Sequence, residues 1–215
     1  MRFNSREHAA QLLVERLRTS YKNKNPLVLG VPRGAVPMAK IIADALGGEL
    51  DVVLVHKLTH PEQAELAIGA IDEEGNFFIN DWAADLDPAY LEAEKKRQLA
   101  VLRQRRARYT PLRQSIDPHD RIVIVVDDGI ATGSTMTAAL RALRAHKPKK
   151  LVGAVAVASP EAARAMLHEC DAMVCLNVPK EFYAVGQFFA DFRQVTDDDV
   201  VAILKQDVEK VSAVG

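Results

Sequence analysis

The stretch "RIVIVVDDGIATGST" (residues 121–135) is the most informative part of the sequence for the fold. It joins an apolar run to two acids and a turn rich in Gly, Ser and Thr. The five consecutive apolar residues 122–126 predict a strand buried on both faces, as in a parallel sheet covered by helices. Adjacent carboxylates repel each other and lose hydration when buried. Asp127 and Asp128 therefore indicate a ligand or metal site at the end of this strand.

Strand and helix patterns alternate on both sides of this stretch. Apolar runs predict strands at 27–31, 51–57, 151–159 and 172–178, and helical spacing predicts helices at 37–46, 87–110, 135–146 and 160–169. Two short apolar runs around Gly75 predict a hairpin. The alternation favours one α/β domain over residues 1–215, with a twisted, mostly parallel sheet flanked by helices.

Composition bounds the class of protein. The formal net charge of −1 creates no global field that attracts nucleic acid or anionic membranes. No apolar run approaches the roughly 20 residues of a membrane span, and the N-terminus lacks the apolar stretch of a signal peptide. Cys170 and Cys175 are too few for a disulfide framework, so we interpret them as buried thiols in a reducing compartment. We expect a soluble cytoplasmic protein.

The residues after the strong strand suit a sugar phosphate. A carboxylate pair can accept hydrogen bonds from the two hydroxyls of a ribose or hold Mg²⁺. The N–H groups at a helix start near Ser134 or Thr135, together with the positive end of the helix dipole, attract a phosphate. No Gly-Lys-Ser/Thr sequence is present, which excludes a Walker A loop.

The stretch "IVIVVDDGIATGST" resembles the phosphoribosyl pyrophosphate (PRPP) signature of the type I phosphoribosyltransferases. The resemblance implies a Rossmann-like core with a small hood or lid, Mg²⁺ as cofactor, PRPP and an unidentified acceptor as substrates, and a homodimer. It also implies that Asp127 and Asp128 contact the ribose hydroxyls and hold the metal. The PRPP-binding residues implied are Asp127, Asp128, Gly129, Ala131, Thr132, Gly133, Ser134 and Thr135.

Two further segments resemble the pyrophosphate-binding parts of this family. "GVPRGAVP" (30–37) provides Arg33 and Gly34, and "VHKLTHPEQAELAIGAI" (55–71) provides Lys57 at a strand end. Family members commonly have Arg-Lys there, whereas this chain has His56 before Lys57. By resemblance, Arg33, Lys57 and Glu65 are the catalytic candidates, and residues 58–66 are the candidate mobile lid, in which His60 is a further acid or base candidate.

The segment 178–195 loosely resembles the hood that binds the base in hypoxanthine-type enzymes. Phe182 would stack on a nucleobase, and Asp191 would lie near Mg²⁺ or pyrophosphate. The alternative is that the aromatic residues between 182 and 192 only pack together. Hypoxanthine-type enzymes carry an Asp before the Thr-Gly of the signature, but this chain has Ala131, which disfavours a 6-oxopurine handled in the same way.

A polar helix within residues 80–115 interrupts the alternation. It carries eight Lys or Arg and two acids between positions 89 and 113. It is either a solvated helix outside the core or a lid or contact surface for an anionic ligand or RNA. The leading hypothesis for the whole chain is phosphoribosyl transfer from Mg–PRPP to a nitrogenous acceptor. The alternatives are a PRPP-sensing regulator that binds RNA through this helix, and a phosphohydrolase.

The order of the "PRGAVP", "KLTHPEQAELAIGA" and "DDGIATG" segments also resembles a smaller group of predicted phosphoribosyltransferases. That resemblance extends roughly from position 25 to position 200. It does not indicate the acceptor.

Overall fold

The computed structural model describes residues 1–80, 83, 85–111 and 114–212, without the side chains at positions 64, 65, 208 and 210–212. In chain order the elements are α1 (Arg6–Tyr21), β1 (Leu27–Gly30), α2 (Val36–Leu46), β2 (Glu49–Val52), β3 (Val55–His60), β4 (Gln63–Asp72), β5 (Phe77–Ile79), α3 (Pro88–Tyr109), β6 (Ile122–Ile130), α4 (Ser134–Ala145), β7 (Lys150–Ala158), α5 (Pro160–Met166), β8 (Ala172–Asn177), a 3₁₀ helix (Val185–Phe188) and α6 (Asp197–Ser212).

Five strands form a parallel sheet in the order β2-β1-β6-β7-β8. The predicted strong strand, β6, lies in the middle, and its residues 123–126 are buried. Helices α1 and α2 pack together and against the sheet, and α4 packs on β6 and β7. Apolar side chains on both faces of β6 and β7 drive this burial, so the predicted α/β class with a mostly parallel sheet is confirmed.

The prediction of a single strand at 51–57 was wrong. Strand β2 ends at Val52, and β3 begins at Val55 in a separate antiparallel sheet, β3-β4-β5. The amide of Val53 still donates to the carbonyl of Gly30, so the chain leaves the parallel sheet only after that bond. Because residues 52–55 are continuously apolar, the sequence pattern contains no break at this point.

The predicted mobile segment 58–66 forms the tip of a hairpin. Strands β3 and β4 pair from Val55↔Asp72 to His60↔Gln63, with register shifts around Thr59. The imidazole Nδ1 of His60 accepts a hydrogen bond from the amide of Glu62, 3.2 Å away, across the turn. The side chain of Glu65 lies outside the described residues, so its assignment as an acid or base remains a prediction.

Helix α3 is attached to the domain at several points. Leu102 and Tyr109 are fully or almost fully buried, although Leu91 and Leu99 are only partly covered. Arg106 binds Asp51 at 2.7 Å and forms a second ion pair with Glu73. Its guanidinium is therefore occupied by contacts within the protein, which disfavours a role for Arg106 in RNA binding by this helix. The assignment of 80–115 as an insertion or lid remains a prediction.

Two elements lie outside the predicted pattern of strands and helices. Helix α1 begins after Ser5, whose hydroxyl accepts from the amide of His8, and helix α6 packs against α2, α3 and β2.

Within the residues described, no helix is both long and apolar enough to cross a membrane. Cys170 and Cys175 are free thiols and are half-buried, less covered than predicted.

Candidate active site

The acid pair lies inside β6, since this strand continues to Ile130. Asp127 is opposite Val155 of β7 in the parallel register, so the prediction that the acids stand at the end of the strand was wrong. The amide of Asp128 donates to Oδ1 of Asp127 at 2.8 Å. Both carboxyl groups are partly buried and remain within electrostatic reach of each other.

Burial makes this pair hard to ionise. Burial raises the pKa of Asp127 well above its ordinary value, and the negative charge of Asp128 raises it further. Burial also raises the pKa of Asp128, although the Arg6 guanidinium partly offsets that rise. A ligand that brings positive charge or hydroxyl donors would relieve both penalties.

Arg6 is the counterion of Asp128, and the sequence analysis missed it. Its Nε and Nη2 atoms both lie 2.8 Å from Oδ2 of Asp128, and the two side chains are only 11% and 13% exposed. Its Nη1 donates to the carbonyl of Arg193 at 2.7 Å, and its guanidinium lies 3.8 Å from the ring centre of Phe192. The two partners are 122 residues apart, and no local sequence signal links them.

The predicted phosphate loop connects β6 to α4. Gly133 has φ of +76° and precedes the first helical residue, Ser134, a conformation that favours glycine. The hydroxyls of Thr132 and Ser134 are 3.0 Å apart. Ala131, Thr132 and Thr135 are exposed. Solvent-facing hydroxyls at the start of a twelve-residue helix form the expected arrangement for a phosphate.

Ser159 supports this loop from the end of β7. Its hydroxyl donates to the carbonyl of Ala131 at 2.7 Å, and the same oxygen accepts from the amide of Ala162 at the start of α5. The side chain thus caps one helix and fixes the loop that leads into another. Sequence reasoning missed it because it lies 28 residues beyond the loop.

We expect Ser159→Ala to lower the free energy of unfolding by about 1 kcal/mol through the lost cap. It should also weaken binding of ribose 5-phosphate, because the Ala131 carbonyl loses its hydrogen-bond donor. Ser5→Ala, which removes the cap of α1, is the matched control: it should lower thermal stability similarly and leave ribose 5-phosphate binding unchanged. Equal affinities in both variants would contradict the supporting role of Ser159.

The predicted pyrophosphate loop lies against the acid pair. The amide of Val31 donates to the carbonyl of Val126 at 2.9 Å, which fixes the start of the loop beside β6. A Cβ atom at Gly34 would lie only 2.4 Å from Oδ2 of Asp128, so only glycine allows this approach. Arg33 is exposed, and its Nη1 lies 4.0 Å from Asp197 of α6.

Lys57 lines a cavity of about 450 Å³ beside these loops. Pro32 from the pyrophosphate loop and Thr135 from the start of α4 line the same cavity, as does His56. The structure therefore brings Lys57 together with parts of both predicted anion-binding segments. Residues of α3 complete the wall.

The hood segment 178–195 contacts β6 and β7 through its 3₁₀ helix. A Cβ atom at Gly129 would lie 2.6 Å from Val185, so the hood contacts the strand directly beside the acid pair. Phe182 packs on Phe188 at 5.4 Å between ring centres and is partly buried, whereas Tyr183 is 83% exposed. The contact of Phe182 with Phe188 is compatible with packing alone, and its role in base binding remains a prediction.

The start of the chain is joined to the hood. The amide of Phe3 donates to the carbonyl of Phe188 at 2.7 Å, and the amide of Ala190 donates to the carbonyl of Phe3 at 2.9 Å. The rings of Phe3 and Phe189 are 5.3 Å apart. Together with Arg6, these contacts tie the first residues of the chain, the hood and the acid pair into one unit.

The family model for the phosphoribosyl transferase domain matches residues 4–193. The chain belongs to the phosphoribosyltransferase family. This confirms the resemblance based on the signature.

Two further comparisons agree with this family. A Mycobacterium tuberculosis protein named "Putative phosphoribosyl transferase Rv0571c" is 42% identical over 205 residues, which cover 94% of this chain and 46% of that protein. The chain thus spans about half the length of the curated relatives it matches. The crystal structure of TT1426 from Thermus thermophilus is 45% identical with a TM-score of 0.88, over 96% of this chain and 99% of that one.

The acid pair suits the Mg²⁺ that phosphoribosyltransferases generally use. It offers oxygen donors, and its two negative charges are disfavoured by burial, so a divalent cation is chemically matched to it. Within the described part of the chain, no three His, Cys, Asp or Glu side chains cluster closely enough to hold a metal unaided. Magnesium commonly binds one or two carboxylates together with substrate phosphates, so a pair of carboxylates is sufficient for a site that the substrate completes.

Asp191, the third predicted metal ligand, pairs with Arg193. Its carboxylate oxygens lie 3.0 Å from Nε and 2.8 Å from Nη2 of that arginine. The hydrogen bonds from Arg193 lower the pKa of Asp191. Its contribution to metal binding remains a prediction.

Proposed function

We propose that this phosphoribosyltransferase binds PRPP with Mg²⁺ and transfers the 5-phosphoribosyl group to a nitrogenous acceptor, releasing pyrophosphate. One observation carries the proposal: Gly34 of one anion-binding loop touches Asp128, and the other loop leaves the same strand three residues later. The proposed phosphate, hydroxyl and pyrophosphate sites would therefore adjoin in the order in which PRPP presents these groups.

Each part of PRPP has a matching feature of the chain. The exposed hydroxyls of Thr132 and Thr135 and the N-terminal amides of α4 would bind the 5-phosphate. Asp127 and Asp128 would accept hydrogen bonds from the ribose hydroxyls. Each hydrogen bond to a charged group is worth roughly 1.5–3 kcal/mol, so a few such bonds hold the substrate firmly.

The reaction requires the protein to stabilise a leaving anion. The bond between C1 of the ribose and the pyrophosphate oxygen breaks, and its electron pair stays with the pyrophosphate. The lone pair of the acceptor nitrogen forms the new bond to C1, and that nitrogen then loses a proton. Mg²⁺, when bound with PRPP, adds positive charge at the phosphate oxygens. Arg33, Lys57 and the backbone at Gly34 would stabilise the charge that develops on the pyrophosphate.

The acceptor would enter from the hood, which contacts β6 beside the acids through Val185. Ala131 occupies the position where hypoxanthine-type enzymes have an acid, so the proton of the acceptor would leave by another route. Glu65 remains the candidate base, at a position whose side chain is outside the described residues. The exposed ring of Tyr183 is a further aromatic surface in the hood.

Pyrophosphate release is the direct test. The protein with Mg²⁺ and PRPP would be incubated with a panel of nucleobases and amines, and release of pyrophosphate followed by a coupled assay. We expect release that requires both the metal and one class of acceptor. PRPP binding without release across the panel would contradict transfer and favour the regulator hypothesis, whereas inorganic phosphate released from sugar phosphates would favour the phosphohydrolase.

We also propose a homodimer, on the strength of the family resemblance. Sedimentation of the purified protein over a range of concentrations would test this. A monomer at every concentration would contradict it and would leave the proposed reaction untouched.

A further inference from the structure

The cavity beside Lys57 is rich in basic side chains, and half of them come from helix α3. Its lining contains the basic side chains His56, Lys57, Arg97 and Arg105, and among the described residues that line it there is no carboxylate. The whole chain has a net charge of −1, so this concentration of positive charge is local. A cavity of about 450 Å³ with such a lining favours an anionic ligand.

Arg97 is held in place by a buried carboxylate. Its Nε lies 2.8 Å and its Nη2 2.7 Å from Oε2 of Glu94, whose side chain is 3% exposed. The other oxygen of Glu94 accepts from Gln98 at 2.9 Å and from the hydroxyl of Thr59 at 3.3 Å. Thr59 lies on β3, two residues from Lys57. Glu94 thus connects the guanidinium of Arg97 to β3, the strand that carries Lys57.

A second contact joins the same two elements. The hydroxyl of Tyr90 on α3 donates to the carbonyl of Thr59 at 2.5 Å. Helix α3 and strand β3 therefore form one wall with two cations on it, Lys57 and Arg97, rather than two independent surfaces. Positioned charges of this kind need no rearrangement when an anion arrives.

The part of α3 that precedes its end at Tyr109, and that carries Arg105, is joined to the pyrophosphate loop through Asp197. The carboxylate of Asp197 accepts a hydrogen bond from the hydroxyl of Tyr109 at 2.5 Å, forms an ion pair with Arg108 at 3.0 Å and lies 4.0 Å from Nη1 of Arg33. Arg105 is exposed and lines the cavity.

We propose that Arg97 and Arg105 bind the pyrophosphate group of PRPP, opposite Arg33 and on the same side as Lys57. The inference rests on the proposed function and assigns α3 a role in it. The cavity lining favours the pyrophosphate over the acceptor, because it includes Pro32 and Lys57 and no residue of the hood segment 178–195. A pyrophosphate carries several negative charges. The four cations Arg33, Lys57, Arg97 and Arg105 would therefore bind it more strongly than Arg33 and Lys57 alone.

Calorimetry with magnesium pyrophosphate and with ribose 5-phosphate would test this inference on the variants Arg97→Gln and Arg105→Gln. Each variant should bind magnesium pyrophosphate roughly tenfold or more weakly, as expected for a lost charged hydrogen bond. Each should bind ribose 5-phosphate as the unmodified protein does. Arg103→Gln is the matched control, because Arg103 is on the same helix and lines a different cavity; it should leave both affinities unchanged.

The outcomes separate this inference from the proposed function. If the unmodified protein bound neither PRPP nor pyrophosphate, the proposed function itself would fail. If it bound both and the two variants bound pyrophosphate normally, only the role of Arg97 and Arg105 would be overturned. Because Arg105 is exposed, the Arg105→Gln variant is expected to fold normally, so a loss of binding in it cannot be attributed to misfolding. Equal losses for pyrophosphate and ribose 5-phosphate in that variant would also overturn the inference.

Discussion

Replacing Asp127 and Asp128 together by asparagine is expected to weaken binding of Mg–PRPP by roughly a hundredfold or more. Two charged acceptors are lost, each worth roughly 1.5–3 kcal/mol, and every 1.4 kcal/mol corresponds to about a tenfold change in affinity. Asparagine keeps the shape of the side chain, so the fold should remain. Calorimetric titration of the double variant with PRPP, with and without Mg²⁺, measures the effect. Unchanged affinity would refute the assignment of this site.

The single variants should separate binding from stability. The pKa of Asp127 is raised in the folded protein, so the folded state binds more protons than the unfolded state above the ordinary carboxyl pKa. Its contribution to stability therefore falls as pH rises through that range, so the penalty for ionising this carboxyl group grows with pH. Asp127→Asn removes the penalty and should raise Tm without ligand by roughly 2–4 °C for each kcal/mol recovered.

Asp128→Asn is the comparison for this gain. It takes the carboxylate away from Arg6, whose side chain is only 11% exposed, so the lost ion pair offsets the relief from burial. We expect no rise in Tm for this variant, and a rise for Asp127→Asn that grows as pH increases above the ordinary carboxyl pKa. A rise in both variants, or in neither, would contradict the description of Arg6 as the specific counterion of Asp128.

Arg106→Met, a change outside the site, should strongly destabilise the fold. The guanidinium is shared by Asp51 and Glu73, and both carboxylates have little exposure, at 1% and 13%. Removing one partner of a buried ion pair typically costs 3–5 kcal/mol, because uncompensated charge remains inside. We expect a loss of about 3 kcal/mol in chemical denaturation at neutral pH.

The pH dependence identifies the cause of this loss. Burial already raises the pKa of Glu73, and Arg106 partly offsets that rise. Without the guanidinium the carboxyl would take up a proton more readily, so the deficit should shrink as pH falls and be largest above neutral pH. Arg103→Met, an exposed position on the same helix, should change little. A deficit that is independent of pH would mean that lost packing, not charge, is responsible.

Sequence could predict what is continuous along the chain. The apolar run of β6, the acids behind it and the turn into α4 are adjacent in sequence, so their chemistry follows directly. Only their place was predicted wrongly, because the acids lie inside β6 and not at its end. Gly34 was predicted to approach an anion. The structure adds that Asp128 is already packed against it, a contact between residues 94 positions apart that no local pattern encodes.

What the sequence could not predict depends on long-range contacts and on breaks hidden in apolar stretches. The change of sheet after β2 occurs within continuous apolar residues. The charges of α3 could equally indicate a solvated helix. Only tertiary contacts distinguish Arg106, which pairs with Asp51, from Arg97 and Arg105, which line a cavity. The pairing of Arg6 with Asp128 could not be predicted for the same reason, because the two residues are 122 positions apart.

The joining of Phe3 and Arg6 to the hood and to Asp128 has a consequence for biosynthesis. A ribosome makes the first six residues long before strand β6, and the hood follows later still. The reaction centre therefore closes only when nearly all of the domain has been translated, because its earliest and latest pieces hold each other in position. A nascent chain stopped after β7 would carry both acids and neither the tether at Arg193 nor the ring of Phe192 that hold their counterion.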